Sequence, residues 1–369
     1  MLERKPRVLQ ICHDYQGPFR SIARHYAGCF SDCEVRTLFL RGGQSAELAE
    51  SLHGEVEFLM LAEGELGGLK LGVARQIREM IGDQVPDIII AHRYKPFFIA
   101  QLLNRELEIP LVLGVMHEYG FLGRLGRSLL SRFWKPNVHL IGVSQPIVDD
   151  ILSRHRYLQG RVHLVHNALE ADELADSVTA RHQLGIPLGD YCYGAIGRLV
   201  SKKNHELLLR GFARVEGEPF LAIVGDGELR ARLEALSREL RIADRVRFCG
   251  YQENAHTLMK AFDAFVLPSD HREAFGMVLL EAMAASVPVV TSDAPGPRSV
   301  VADTGLLFTS DDADDLAAKL TAVRAMTRAE TDAMTTRALN RLGREFAISV
   351  MVRRLRELEP VAARAPLSF

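Results

Sequence analysis

The sequence predicts an α/β protein built from two doubly wound parallel-sheet domains, on three observations. Short apolar runs of strand length alternate with amphipathic stretches of helix length along nearly the whole chain. The alternation lapses once, over residues 168–190, and then restarts. The length, 369 residues, is that of two ordinary domains. A balance of 47% hydrophobic and 25% charged residues suits a soluble globular protein, and a net charge of −2 excludes a globally basic nucleic-acid binder. The longest apolar runs, such as Pro86–Ala91 and Leu111–Val115, fall far short of the ~20 residues that a spanning helix needs. The first residues run directly into an apolar strand without a leader-like segment, which gives the expectation of a cytoplasmic protein. Five cysteines, three of them in or beside apolar strands, read as buried reduced thiols; Cys29 and Cys33 stand one helical turn apart, but no matching His or Cys pair at zinc-like spacing follows.

Taken in order, strands are expected at Arg7–Cys12, Glu34–Leu40, Val56–Leu59, Asp87–Ala91, Leu111–Met116, His139–Val143 and Val162–Val165. Each is a short apolar run bounded by turn residues. Helices are expected at Gly17–Phe30, within Leu66–Ile81, and at Pro96–Leu107 and Gln145–Leu152, where the apolar period is 3.6. After the lapse, strands are expected at Cys192–Ile196, Phe220–Val224, Val246–Cys249, Ala264–Pro268 and Val287–Val290, with helices at Glu206–Val215, Glu228–Leu240, Met277–Ala285 and Leu316–Met326. The first domain is placed at 1–168 and the second at 169–344; an amphipathic C-terminal helix within 345–369 is expected to return to the first. Asp311–Asp315 resembles a metal-binding carboxylate cluster, but its position before a helix suits a cap and first turn better.

The chemistry concentrates between Asp270 and Val290. Glu273 lies in the loop before a helix and Glu281 within it, so the two carboxylates stand ~10 Å apart and serve different jobs. Between them, Ala274, Phe275, Gly276 and Met277 bring free backbone N–H groups to a helix N-terminus, which favours a phosphate. An anion flanked by two carboxylates is the layout of a nucleotide sugar. Arg198 and Lys203 occupy the strand-to-helix loop Gly197–Asn204, where two cations can neutralise a diphosphate without a metal. The turn Gly225-Asp226-Gly227 permits close backbone approach to a ligand. The stretch Arg124–Lys135 interleaves Arg124, Arg127, Arg132 and Lys135 with leucines, Phe133 and Trp134. It fits shallow contact with an anionic membrane or phosphorylated glycolipid, or else a helix packed on the core with a solvated basic side.

Gly197-Arg-Leu-Val with Lys203, Val224-Gly-Asp-Gly227, Glu273-Ala-Phe-Gly276 and Glu281-Ala-Met283 together resemble the retaining glycosyltransferases of the GT-B fold in family 4, also called glycosyl transferases group 1. The resemblance is strong over residues 192–309, including Gly296-Pro297, and weaker over 7–167. It implies two Rossmann-like domains facing across a cleft, a nucleoside-diphosphate sugar as donor and no cofactor or metal. It implies that Arg198 and Lys203 hold the donor diphosphate, that Glu281 binds the ribose and that Glu273 contacts hydroxyls of the sugar. The backbone of Phe275–Met277 would meet sugar and phosphate. Gly17 matches the glycine of the first strand-to-helix loop that approaches donor phosphate, although relatives often carry two adjacent glycines there. His117 stands where family members carry a histidine near the transferred sugar, and His13, Asp14 and Arg20 are candidates for the acceptor side. The acceptor is expected to be a glycan or glycolipid of bacterial lipopolysaccharide or surface polysaccharide. A sugar-nucleotide epimerase, or a non-catalytic nucleotide-sugar-binding protein, would share most of these features.

Overall fold

A computed structural model describes residues 4–121, 132, 134–170 and 173–366. The chain forms two compact units, Met1–Ala168 with Ile348–Phe369, and Leu169–Ala347.

The first unit holds a seven-stranded sheet of β1 (Arg7–Cys12), β2 (Glu34–Phe39), β3 (Glu55–Phe58), β4 (Ile88–His92), β5 (Leu111–Met116), β6 (Val138–Gly142) and β7 (Val162–Leu164). Its order is β3-β2-β1-β4-β5-β6-β7, and every pairing is parallel. β4 and β5 are buried at every residue, as strands covered on both faces must be. The helix Ile348–Arg356 belongs to this unit through a buried ion pair. Arg356 is 2% exposed, grips Asp32 through bonds of 2.7 and 2.8 Å, and donates to the carbonyls of Cys29 and Pro366.

The second unit holds β8 (Cys192–Ile196), β9 (Phe220–Val224), β10 (Val246–Gly250), β11 (Ala264–Leu267), β12 (Val289–Ser292) and β13 (Leu306–Phe308), all parallel in the order β10-β9-β8-β11-β12-β13. Tyr193, Phe212, Leu233 and Leu316 pack its core, and the Tyr193 hydroxyl donates to the carbonyl of Leu320 at 2.7 Å.

Some elements differ from the sequence reading. The stretch 168–190 contains the helix Ser177–Leu184, opened by Asp176, which accepts from the amides of Val178 and Thr179. Its buried Arg181 bonds four carbonyls and Asp263, so a charged residue takes a core position that apolar patterning passes over. The expected helix within Leu66–Ile81 begins only at Leu71, after the left-handed Lys70, φ 55°. The helix Arg328–Glu345 is closed at its start by a Thr327–Glu330 capping box. Asp312 accepts from the amides of Asp314 and Asp315, and Asp315 accepts from Thr309, so these carboxylates cap and brace a helix. Burial pushes the thiols of Cys12, Cys29 and Cys33 up to about 12 and that of Cys249 up to about 11, which leaves them protonated and inert. Among the described residues, no helix is long and apolar enough to cross a membrane.

Candidate functional site

In an open parallel sheet, ligands bind beyond the carboxyl ends of the strands where the strand order reverses. The two sheets reverse between β1 and β4 and between β8 and β11. An ion pair joins the two strand ends at each place.

At the second switch point the loop after β8 locks into the loop after β9. The Leu199 amide donates to Asp226 and the Leu229 amide to the carbonyl of Leu199, at 2.9 and 3.0 Å. A Cβ on Gly225 would stand 2.0 Å from the carbonyl oxygen of Gly197, and one on Gly227 would stand 2.6 Å from that of Leu199, so only glycine lets the loops meet. The loop after β11 is tied in by the Asp270 amide, which donates to the carbonyl of Lys202. Lys203 Nζ then lies 2.7 Å from Glu273 Oε2, and Lys202 Nζ lies 3.4 Å from Oε1. Glu273 is 7% exposed. Its burial opposes ionisation, but the charges and hydrogen bonds of Lys203 and Lys202 outweigh that and hold its carboxyl below the ordinary value. Arg198, in the same loop, is exposed, with no side-chain partner among the described residues.

The helix Met277–Ala284 opens after Gly276, φ 89°, and carries Glu281, half-buried. Ala274 and Phe275 are buried, and Phe275 packs edge-on against Phe346, so their side chains serve the interior. A neighbouring helix, Pro295–Val301, starts against that backbone: a Cβ on Gly296 would stand 2.1 Å from the carbonyl oxygen of Glu273. Asp226 is engaged locally, accepting from the Gly227 amide and pairing with Arg230 at 3.1 Å. The arrangement offers an anion one free guanidinium, a lysine that is shared with a carboxylate, and a helix start.

At the first switch point Asp14 follows β1 and Arg93 follows β4. Asp14 accepts from His13 Nδ1 at 2.7 Å, Arg93 Nη1 at 3.0 Å and the Gln16 amide at 3.1 Å. Burial alone would raise its carboxyl, but the His13 hydrogen bond and the Arg93 charge bring it down to about 2. Gly17 adopts φ 57° with open space where a Cβ would stand. His117 follows β5, 3.4 Å from His92 Nδ1 and edge-to-face with Phe19 at 5.1 Å. Burial first, then the nearby His92 and Arg93, hold its imidazole well below the usual histidine range, so it is neutral at ordinary pH. Arg20 pairs with the exposed Glu47 at 2.5 Å. Sequence reasoning passed over His92, Arg93 and Lys202; the signal for the first two is a His-Arg step at the carboxyl end of a switch-point strand.

Of the basic stretch Arg124–Lys135, residues 124–131 and 133 lie outside the described residues. Trp134 packs edge-on against the buried Phe97, and Lys135 donates to the carbonyl of Asn104 at 3.0 Å.

Known proteins resemble this chain. The sequence profile of the glycosyl transferases group 1 matches residues 176–338, and that of glycosyltransferase family 4 matches residues 20–173. The lipopolysaccharide core biosynthesis glycosyltransferase LpsD of Rhizobium meliloti is 39% identical over 137 residues, which are 37% of this chain and 39% of that protein. The chain thus spans about two fifths of the length of that curated relative. Among solved structures, a glycosyltransferase from Rickettsia africae superposes with a TM-score of 0.84 at 15% identity, over 99% of this chain and 100% of that one. Anabaena HepE, in complex with UDP and glucose, gives 0.79 at 20% identity, over 95% and 98%. At such identities the likeness is one of fold, two Rossmann-like parallel-sheet units of the GT-B type. Two family profiles over both units, together with that fold, make this chain a member of the group 1, family 4 glycosyltransferases.

Proposed function

We propose that the protein is a retaining glycosyltransferase that moves a sugar from a nucleoside diphosphate to a glycan or lipid-linked acceptor in lipopolysaccharide or surface-polysaccharide assembly. The observation that carries this reading is the Lys203–Glu273 pair, with Arg198 in the same loop as Lys203 and the Gly276 helix start following Glu273, at the β8/β11 switch point. Arg198 and Lys203 neutralise the departing diphosphate, and amides at the helix start add donors to it. Two cations in this role make a metal unnecessary. Glu273, kept ionised by its lysines, accepts from hydroxyls of the transferred sugar, and Glu281 accepts from the ribose. His117, neutral, offers a hydrogen bond without adding charge to the reacting sugar. Catalysis then rests on positioning and leaving-group electrostatics, and the diphosphate oxygen itself takes the acceptor proton. The name of LpsD and the UDP and glucose held by HepE favour this donor and pathway class. The reading places the protein in the cytoplasm, with Arg124–Lys135 as its contact to anionic membrane.

Calorimetry against UDP, GDP, ADP and their sugars, followed by donor hydrolysis, tests the proposal. One nucleotide series should bind, and Arg198→Ala and Glu281→Ala should each weaken it about tenfold, or about 1.4 kcal/mol. Failure of every nucleotide to bind, or unchanged binding by both variants, removes the donor site from this position.

A further inference from the structure

Consecutive side chains of an extended strand point to opposite faces, yet His92 and Arg93 converge on one pair of rings. His92, the last residue of β4, stacks with His117 at 5.7 Å between centroids. Arg93 Cζ lies 3.5 Å from the centroid of Phe19, and Phe19 meets His117 edge-to-face at 77°. The backbone makes this convergence. Arg93 has φ 70° and ψ 170°, a combination open essentially to glycine. Both neighbours hold this conformation: the Arg93 amide donates to the carbonyl of Val115 at 2.9 Å and its carbonyl accepts from the Phe97 amide at 3.2 Å, so the chain passes from β4 to the helix Tyr94–Leu107 within one residue. The same strained backbone also places the guanidinium, which pairs with Asp14 at 3.0 Å.

We propose that Arg93 is a positioning residue for His117: the strained backbone delivers its guanidinium to the face of Phe19, Asp14 fixes it there, and the Phe19 ring so held sets the imidazole of His117. The planar guanidinium is needed because it stacks and pairs at once, which a lysine ammonium does not. The strain is consistent with a site whose geometry is maintained at a local energetic cost. The kinetic part of this inference rests on the glycosyltransferase reading; the structural part does not.

Three full-length variants, Arg93→Ala, Arg93→Gly and Arg93→Lys, test it. Alanine and glycine both remove the guanidinium, and the strain that φ 70°, ψ 170° imposes on a residue with a Cβ outweighs the extra unfolded-state entropy of glycine, so the Tm of Arg93→Gly should exceed that of Arg93→Ala. In histidine-selective 15N spectra, with His117 assigned through His117→Gln, wild type should show one tautomer for that ring, and all three variants an averaged or shifted one. With an active donor, kcat should fall about tenfold or more in each variant, with the donor KM within about twofold. Unchanged His117 signals in Arg93→Ala, or a Tm for Arg93→Gly at or below that of Arg93→Ala, overturns the proposal; so does an unchanged kcat in all three. If wild type binds and turns over no donor, the glycosyltransferase reading fails by itself, and the spectra and melting temperatures still decide the role of Arg93.

Discussion

Glu273 remains ionised in a buried position because two lysines reach it, and this sets a residue-scale expectation. Removing Lys203 leaves a carboxylate that is 7% exposed with one ammonium 3.4 Å away. Lys203→Ala should therefore lower the unfolding free energy by about 1–3 kcal/mol in denaturant titration at pH 7, and Lys202→Ala by less. The sign with pH follows from the direction of the shift. The folded carboxyl lies below its ordinary 4.5, so its contribution is complete above that pH and disappears as pH falls through the folded value. The gap between wild type and Lys203→Ala should narrow as pH falls below about 4.5; a gap that stays constant there would show that the pair is not the cause. Glu273 and Lys203 were both legible in the sequence, from a loop-then-helix pattern and a cation loop. That they hold each other was not, because 70 residues separate them. Lys202 was hidden beside its neighbour, and the strain at Arg93 is a backbone property that no residue type announces.

The expectations at the scale of elements concern interlocked loops. Gly296→Ala would place a methyl group against the carbonyl of Glu273, and overpacking of this kind costs about 1–3 kcal/mol. Gly17→Ala meets open space at φ 57°, so only the left-handed conformation is penalised, about 1–2 kcal/mol. Thermal melts should thus rank Gly296→Ala at or below Gly17→Ala. Nucleotide binding should suffer with Gly296→Ala, whose methyl displaces the Glu273 backbone itself. Strands and most helices were readable because buried parallel strands are continuous apolar runs. The helix Ser177–Leu184 escaped because its inward face is built partly on Arg181, whose burial depends on carbonyls presented by distant segments.

At the scale of the whole molecule, the first unit depends on the helix Ile348–Arg356. Arg356→Ala removes the buried guanidinium with its bonds to Asp32 and to the carbonyls of Cys29 and Pro366, and should cost about 1–3 kcal/mol. Limited proteolysis of that variant should open Met1–Ala168 while Leu169–Ala347 stays protected. Acid should act on the same unit. Burial holds His92 down to about 3 and His139 down to about 4, and also lowers His117, His155 and His163; in the second unit His205 lies at about 3. Unfolded histidines take up protons below about 6.5 while these do not, so stability is complete above that pH and is lost as pH falls, by up to ~1.4 kcal/mol per pH unit for each fully buried ring. Hydrogen exchange at pH 5 should therefore show the first unit opening before the second, and equal opening would contradict this assignment.

The sequence by itself determined the two-unit α/β architecture, the residues at the β8/β11 switch point and the family, because apolar period, glycine-bearing loops and cations at strand ends are local signals. Only the tertiary structure decided how those residues are paired and which others join them. The bonds Lys203–Glu273, Asp14–Arg93 and Asp32–Arg356 each join segments far apart in the chain, and the shared burial that gives them their strength exists only once the sheets have formed.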